Sequence, residues 1–224
     1  NKGFYLCCMR MLKLKILEER TKILFDKIAK EWYEFPLVWG TGLSLRMWHR
    51  KSVDLDFAVP RFVSNKDIEV FKKVSKRFEI VYQSKEQINM FVDYVKVTVF
   101  SYFYKNHFTV QKYKNLKIRD LKDIAVSKAF TIGRREELKD YIDLYFILKE
   151  KVLSLDEMIK LAKEKYQWEF SEKLFLKQLL LINEVGECEI KYLRDPATIS
   201  EIDDFFRKLV KEKMEADKSK SISD

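Results

Sequence analysis

Two aspartates two residues apart, Asp54 and Asp56, are the first candidates for chemistry in this chain. They lie in Val53-Asp54-Leu55-Asp56-Phe57-Ala58-Val59. The alternation predicts a strand with both carboxylates on one face and Val53, Leu55 and Phe57 on the other. Residues i and i+2 of a strand stand roughly 6–7 Å apart. Two acids so placed repel each other unless a cation lies between them. Magnesium is a hard ion that takes carboxylate oxygens and leaves positions for water or phosphate. A bare Asp-x-Asp also fits a solvent-facing edge with two ordinary acids, so the neighbouring segments decide.

Thr41 lies 13 residues before Asp54, within Gly40-Thr41-Gly42. Leu37-Val38-Trp39 before it reads as a short buried strand, and Leu43 to His49 after it as a short helix. Gly40–Gly42 is therefore expected to be a turn whose backbone N–H groups can hold phosphate oxygens, with the Thr41 hydroxyl adding a bond. Glycine permits the close backbone approach this requires.

The run Trp39-Gly40-Thr41-Gly42-Leu43-Ser44-Leu45-Arg46-Met47-Trp48-His49-Arg50-Lys51-Ser52-Val53-Asp54-Leu55-Asp56-Phe57 resembles the glycine-serine and DxD motif of the DNA polymerase beta-like nucleotidyltransferase superfamily. It is most similar to the AbiEii/AbiGii-type toxin nucleotidyltransferases, with their pattern GGTALxLxxxHRxSxDLDF. The resemblance implies that Gly40 and Thr41 hold NTP phosphates, that Arg50 and Ser52 border them, and that Asp54 and Asp56 ligate Mg2+ or Mn2+. Trp39 departs from the pattern by replacing the first glycine, which narrows the expected pocket. Gly42 replaces a small residue and should be harmless.

A second cluster follows. A helix ending Ser127-Lys128-Ala129-Phe130 leads through Gly133-Arg134-Arg135 into Lys139-Asp140-Tyr141-Ile142-Asp143-Leu144. Asp140 and Asp143 fall three apart on one helix face and can address one site; Lys139 and Asp143 are also i,i+4 partners. The same toxin branch has a helix with an inward Lys, an Arg-containing loop and (K/R)DxxDL. By that resemblance Lys128 binds the triphosphate, with Asp140 and Asp143 beside it. The superfamily usually has a third carboxylate on a later strand as general base. On Tyr94–Phe100 the matching position is Thr98, and Asp93 lies in an expected turn, so the base is not identified.

The elements that must position these residues divide the chain. Residues 9–34 read as a helix closed by Pro36. Asn65–Arg77 reads as an amphipathic helix, and Phe78–Gln83, Ile88–Val92 and Val95–Tyr102 as strands, the last two joined at Asp93-Tyr94. After about residue 116 no strand is expected. Helices follow over 120–132, 136–149, 156–166, 171–185 and 199–216, with a frayed tail from Lys218. The expected fold is α+β: a nucleotidyltransferase-like mixed β-sheet flanked by helices over 1–115, then a C-terminal helical bundle over 116–224 that completes the active site.

Composition bounds the remainder. A chain of 224 residues with 47% hydrophobic and 14% aromatic residues buries a real core. The net charge of +9 favours polyanionic partners. Three cysteines, Cys7, Cys8 and Cys188, without CxxC spacing argue against a disulfide framework or zinc site and for a reducing cytoplasm. No run of 18 apolar residues suggests a membrane span. The first residue is not Met, which suggests a trimmed or partial N-terminus. Neither His49 nor His107 sits in a metal-binding spacing, though His49 falls within the motif.

The expected activity is transfer of a nucleoside monophosphate from an NTP to an acceptor hydroxyl, with RNA, and tRNA ends in particular, as acceptor. The resemblance implies a toxin of a toxin–antitoxin or phage-defence pair with a cognate antitoxin. Two alternatives stay open: a catalytically degenerate fold that binds RNA or a partner, and a small-molecule, antibiotic-type nucleotidyltransferase.

Overall fold

The computed structural model describes residues 12–31, 36–132, 134–135, 137–186 and 188–223. The chain forms two compact units. The first comprises the described residues up to Ile124 together with Lys191–Arg194; the second comprises Ala125–Ile190 and the chain from Asp195 onward.

The first unit is built on a seven-stranded mixed sheet ordered β3-β4-β5-β2-β1-β7-β6. The strands are β1 (Pro36–Leu37), β2 (Leu55–Val59), β3 (Phe78–Gln83), β4 (Gln87–Val92), β5 (Val95–Ser101), β6 (Gln111–Tyr113) and β7 (Leu116–Ile118). Strands β2 and β5 run parallel, as do β1 and β7. One face of the sheet, carrying Leu55, Phe57, Val97, Val99, Ile88 and Met90, forms the core with helices α1 (Glu19–Glu31) and α3 (Lys66–Val74). Both helices turn an apolar stripe inward: Leu24, Phe25 and Ile28 from α1, Ile68 and Phe71 from α3.

Four differences between sequence and structure each have a physical cause. The expected 9–34 helix breaks: Leu14–Ile16 is a 3-10 turn, and the α-helix starts at Glu19. Tertiary contact overrides periodicity there, because Lys13 donates its N–H to the Leu45 carbonyl at 2.8 Å and Ile16 and Leu17 are both buried. Residues 9–11 and 32–34 of the expected helix, with Cys7 and Cys8, lie outside the described residues.

Gly40–Gly42 is not a turn. It lies within helix α2 (Trp39–Met47), which starts directly after β1. Residues Thr41–Met47 are all buried, so packing rather than propensity holds the glycines helical. A Cβ on Gly42 would lie 3.1 Å from Ile124 Cδ1 and 3.6 Å from the Leu37 carbonyl, so glycine lets α2 approach the sheet closely.

Strands β6 and β7 escape the sequence pattern because each has three residues and they turn at Lys114, a lysine at φ 54° where glycine or asparagine is the usual signal. Finally, the C-terminal helix continues to Ser223 instead of fraying at Lys218. Lys213–Asp217 and Lys211–Glu215 ion pairs, with Ser219 Oγ on the Glu215 carbonyl, link successive turns.

The hairpin joining β4 to β5 forms as expected, with Asp93 and Tyr94 both at positive φ. The β2 strand begins two residues later than its alternation predicts, so Asp54 lies in the loop before it and only Asp56 lies on the strand. Val53, expected on the core face, is 42% exposed, while Leu55 and Phe57 are fully buried.

The second unit is helical: the end of α4 (Leu121–Thr131), then α5 (Leu138–Lys149), α6 (Leu155–Tyr166), α7 (Glu172–Leu179) and α8 (Ile199–Ser223). Ser154 and Glu157 form a reciprocal capping box at α6, and Ser171 caps α7 by accepting from the Leu174 N–H. Helices α5 and α7 both pack on α8.

Candidate functional site

In the first unit the Asp54/Asp56 segment is tied to the start of α2. Val38 donates its N–H to the Asp56 carbonyl at 2.9 Å, and Leu37 pairs with Phe57, so β1 delivers the chain into α2 alongside Asp56. The buried Thr41 hydroxyl donates to the Asp54 carbonyl and lies 2.7 Å from Ser52 Oγ. Thr41 thus fixes the loop that carries the first aspartate. What it can offer an anion is its backbone N–H, one of the first-turn donors that an α-helix leaves without intrahelical acceptors.

Replacing Thr41 with Val preserves the shape but removes the hydroxyl that Ser52 Oγ and the Asp54 carbonyl share in a partly buried setting. Thr41→Val is expected to cost about 1–3 kcal/mol in urea unfolding, whereas Thr41→Ser retains most of the stability.

Arg50 and Ser52 border Gly40. A Cβ there would lie 3.0 Å from Arg50 Nη2 and 3.5 Å from Ser52 Oγ, so the glycine leaves room for the guanidinium at the helix start. Arg50 Nη1 donates to the Lys51 carbonyl at 3.1 Å. A segment without a sequence signal holds this loop. Lys51 donates its N–H to the Lys191 carbonyl at 2.8 Å, Leu193 donates to the His49 carbonyl at 3.0 Å, and Arg194 donates twice to the Met47 carbonyl, capping α2. His49 is buried.

Trp39 occupies φ 56°, a left-handed conformation that disfavours bulky side chains. Glycine would adopt this conformation without strain. Here the Trp39 ring stacks on Phe100 with centroids 4.2 Å apart, which helps to hold the strained backbone.

The sheet register answers the question of the third acid. Asp56 lies directly beside Thr98 on β5, and Thr98 faces Asn89 on β4. Gln87 Nε2 donates to Asn89 Oδ1 at 2.8 Å. The neighbour of Asp56 in the sheet is therefore a neutral polar row. Asp93 is used at the hairpin: Oδ1 accepts from the Lys76 and Arg77 N–H groups, both at 2.9 Å, and Oδ2 pairs with Lys27. Burial pushes its carboxyl upward, but the two N–H donors and Lys27 outweigh this and hold it below the usual aspartate value.

The residues present fit a hard divalent cation. The Asp54 carboxylate is half-buried and makes no hydrogen bond or ion pair among the described residues, and Asp56 follows two residues later on β2. Among the described residues no three His, Cys, Asp or Glu gather into a cage. Two carboxylates with the remaining positions left to phosphate and water suit magnesium, which seldom has an all-protein shell.

In the second unit Lys128, Asp140 and Asp143 do come together. Lys128 Nζ lies 2.5 Å from Asp140 Oδ1 and 2.7 Å from Asp143 Oδ2, and all three side chains are buried. Arg135, from the loop before α5, grips the same Asp140 through Nε at 2.8 Å and Nη2 at 3.0 Å. Burial raises the Asp140 carboxyl, but the Lys128 and Arg135 charges and hydrogen bonds prevail and hold it low. The ionic partner of Asp143 is thus Lys128, across two helices, rather than Lys139 on its own helix.

These features define a nucleotidyltransferase-like fold. Over 93% of this chain and 100% of the other, the structure is similar to JHP933 from Helicobacter pylori, with a TM-score of 0.50 and 16% identity. A second Helicobacter pylori structure, provisionally described as a nucleotidyltransferase, gives the same TM-score and identity over 87% of this chain and 96% of its own. At such identity the likeness is one of fold. No family model matches the sequence. The chain is 31% identical over 211 residues to the uncharacterized protein aq_aa25 of Aquifex aeolicus (strain VF5), spanning 92% of this chain and all of that protein, and it belongs to the same family as aq_aa25.

Proposed function

We propose that the protein is a Mg2+-dependent (or Mn2+-dependent) nucleotidyltransferase of the AbiEii/AbiGii toxin type. It would transfer a nucleoside monophosphate from an NTP to an acceptor hydroxyl, with RNA, and tRNA ends in particular, as the acceptor. The carrying observation is the Asp54 carboxylate, without a partner among the described residues, on a loop that Thr41 locks to the start of α2.

The first-turn N–H groups at Gly40 and Thr41 would hold phosphate oxygens, and the Arg50 guanidinium would add charge beside Ser52. Asp54 and Asp56 would hold the cation, whose charge offsets that of the phosphates. The acceptor hydroxyl oxygen forms a bond to the α-phosphorus as its proton passes to a phosphate oxygen or water, the bond to the bridging oxygen breaks, and pyrophosphate leaves. Thr98 beside Asp56 is not a base at neutral pH, so acceleration rests on positioning and charge rather than on a dedicated third carboxylate. The resemblance assigns Lys128 a cationic role toward triphosphate, but in the second unit its ammonium is buried between Asp140 and Asp143, which favours a structural role for the cluster.

The motif also supports a toxin role with a cognate antitoxin, acting in the cytoplasm. The neutral Thr98 favours one competing reading, a fold that binds nucleotide or RNA without transfer. Calorimetry separates metal-dependent binding from none: the wild type should bind NTP only with Mg2+, and Gly40→Ala should weaken binding with little change in melting temperature. Equal NTP binding with and without Mg2+ contradicts the proposal.

A further inference from the structure

Beyond the carboxylates, three segments of the first unit converge at the C-terminal ends of β2 and β5. Tyr102 donates its N–H to the Val59 carbonyl at 2.7 Å, Val63 donates to the Lys85 carbonyl at 3.0 Å, and Ser101 donates to the Glu86 carbonyl at 2.8 Å. At this junction Phe62 and Phe103 are 51% and 58% exposed, and their rings meet edge to face with centroids 5.2 Å apart.

A lysine stands over this pair, with the exposed Glu86 next to it in the chain. Lys85 Nζ lies 5.3 Å from the Phe62 ring centroid, and neither Lys85 nor the exposed Lys105 makes an ion pair among the described residues. The first unit carries 27 Lys and Arg against 14 Asp and Glu, a net +13 within a chain of +9. All of the excess positive charge therefore belongs to this unit.

Rings also lead back toward the carboxylates. Tyr102 has Arg119 over its face at 4.1 Å and Phe100 at 6.3 Å, and Phe100 stacks on Trp39 at the start of α2. Phe100 and Thr98 alternate on the sheet face that carries Asp56. Three residues of strand, roughly 10 Å, separate Asp56 from Val59, where the junction begins.

We infer that Phe62 and Phe103, with Lys85 and Lys105, form a stacking site for unpaired bases of a single-stranded nucleic acid. Exposed rings accept bases of any sequence, and the lysines meet the phosphates between them. A duplex keeps its bases stacked on one another and cannot use the rings. An acidic protein would satisfy the charge but not two exposed aromatic faces. The inference deepens the acceptor side of the proposed function, yet the binding it describes does not require transfer chemistry.

The test is fluorescence anisotropy of the full chain with labelled 12-mers of oligo(U) and oligo(dT), over a salt series, with a blunt duplex as competitor. The wild type should bind both single strands and prefer them to the duplex. Phe62→Ala/Phe103→Ala should weaken binding at least tenfold with an unchanged melting profile. Lys85→Ala should lower the salt slope by about 0.7, the value for one phosphate contact on a single strand. The oligo(U) and oligo(dT) arms distinguish an RNA from a DNA preference. Binding by the double variant equal to wild type, equal competition by duplex, or no oligonucleotide binding by wild type overturns the inference. Calorimetry of Mg2+ and NTP on both proteins keeps the two questions apart: no Mg2+-dependent NTP binding by the wild type defeats the catalytic reading, while lost oligonucleotide binding with retained NTP binding in the variant supports the stacking site.

Discussion

Asp54→Asn is expected to abolish metal-dependent NTP binding and transfer while leaving the fold intact. A bound divalent ion contributes several kcal/mol to charge stabilisation in reactions of this kind. Each 1.4 kcal/mol is a factor of ten, so the transfer rate should fall by at least about a thousandfold. Stability should barely change. The Asp54 carboxylate has no partner among the described residues, and asparagine matches its shape. A change within about 0.5 kcal/mol is expected, as for other substitutions away from packed or paired groups. Asp56→Asn should act in the same direction. Thermal melts alongside Mg2+–NTP calorimetry check both halves. A variant that loses binding by unfolding would remove Asp54 from the metal site and return it to structure.

The largest stability effect should come from the second unit. Lys128→Met removes the ammonium that Asp140 and Asp143 share in a buried setting. Breaking a buried ion pair by deleting one partner is strongly destabilising, about 3–5 kcal/mol. That is a large fraction of the roughly 5–15 kcal/mol that keeps a typical domain folded. Urea unfolding followed by circular dichroism reads the loss. Adding Asp143→Asn to Lys128→Met should recover part of it, because the cluster then carries one fewer buried charge.

The same cluster sets an acid limit. The folded-state pKa of Asp140 lies below its ordinary value, through Lys128 and Arg135 acting against burial. Its contribution is therefore complete above the unfolded value near pH 3.9 and is lost as pH falls through the lower folded value. Melting temperature should be insensitive to this group at neutral pH and drop below about pH 4. The drop should be shallower in Lys128→Met.

The expected α+β architecture was legible wherever hydrophobic period and turn chemistry agreed. The β2 alternation from Leu55 onward, the β4–β5 hairpin at Asp93-Tyr94 and the helices around Lys128 and Asp140 all have local signals that coincide with their tertiary environment. The α2 start was misread because Gly40 and Gly42 signal a turn, whereas burial of Thr41–Met47 and the close approach to Ile124 determine a helix. The consequence is chemical. The phosphate-binding element becomes a helix N-terminus, and the Thr41 hydroxyl turns inward to Ser52 and Asp54. Lys191–Arg194 had no readable motif, since it supports the His49–Lys51 loop mostly through backbone groups, which any sequence can supply. Arg135 could have been suspected from its position five residues before Asp140, but only the folded loop shows both of its nitrogens on that carboxylate.

The central claim is that Asp54 and Asp56 support nucleotidyl transfer. Its most direct test incubates the protein with each α-labelled NTP, Mg2+ and total RNA, and follows label into acid-insoluble material. The account predicts incorporation by the wild type that requires Mg2+ and disappears in Asp54→Asn. Incorporation by Asp54→Asn at the wild-type rate, or none by the wild type with any NTP, would contradict it.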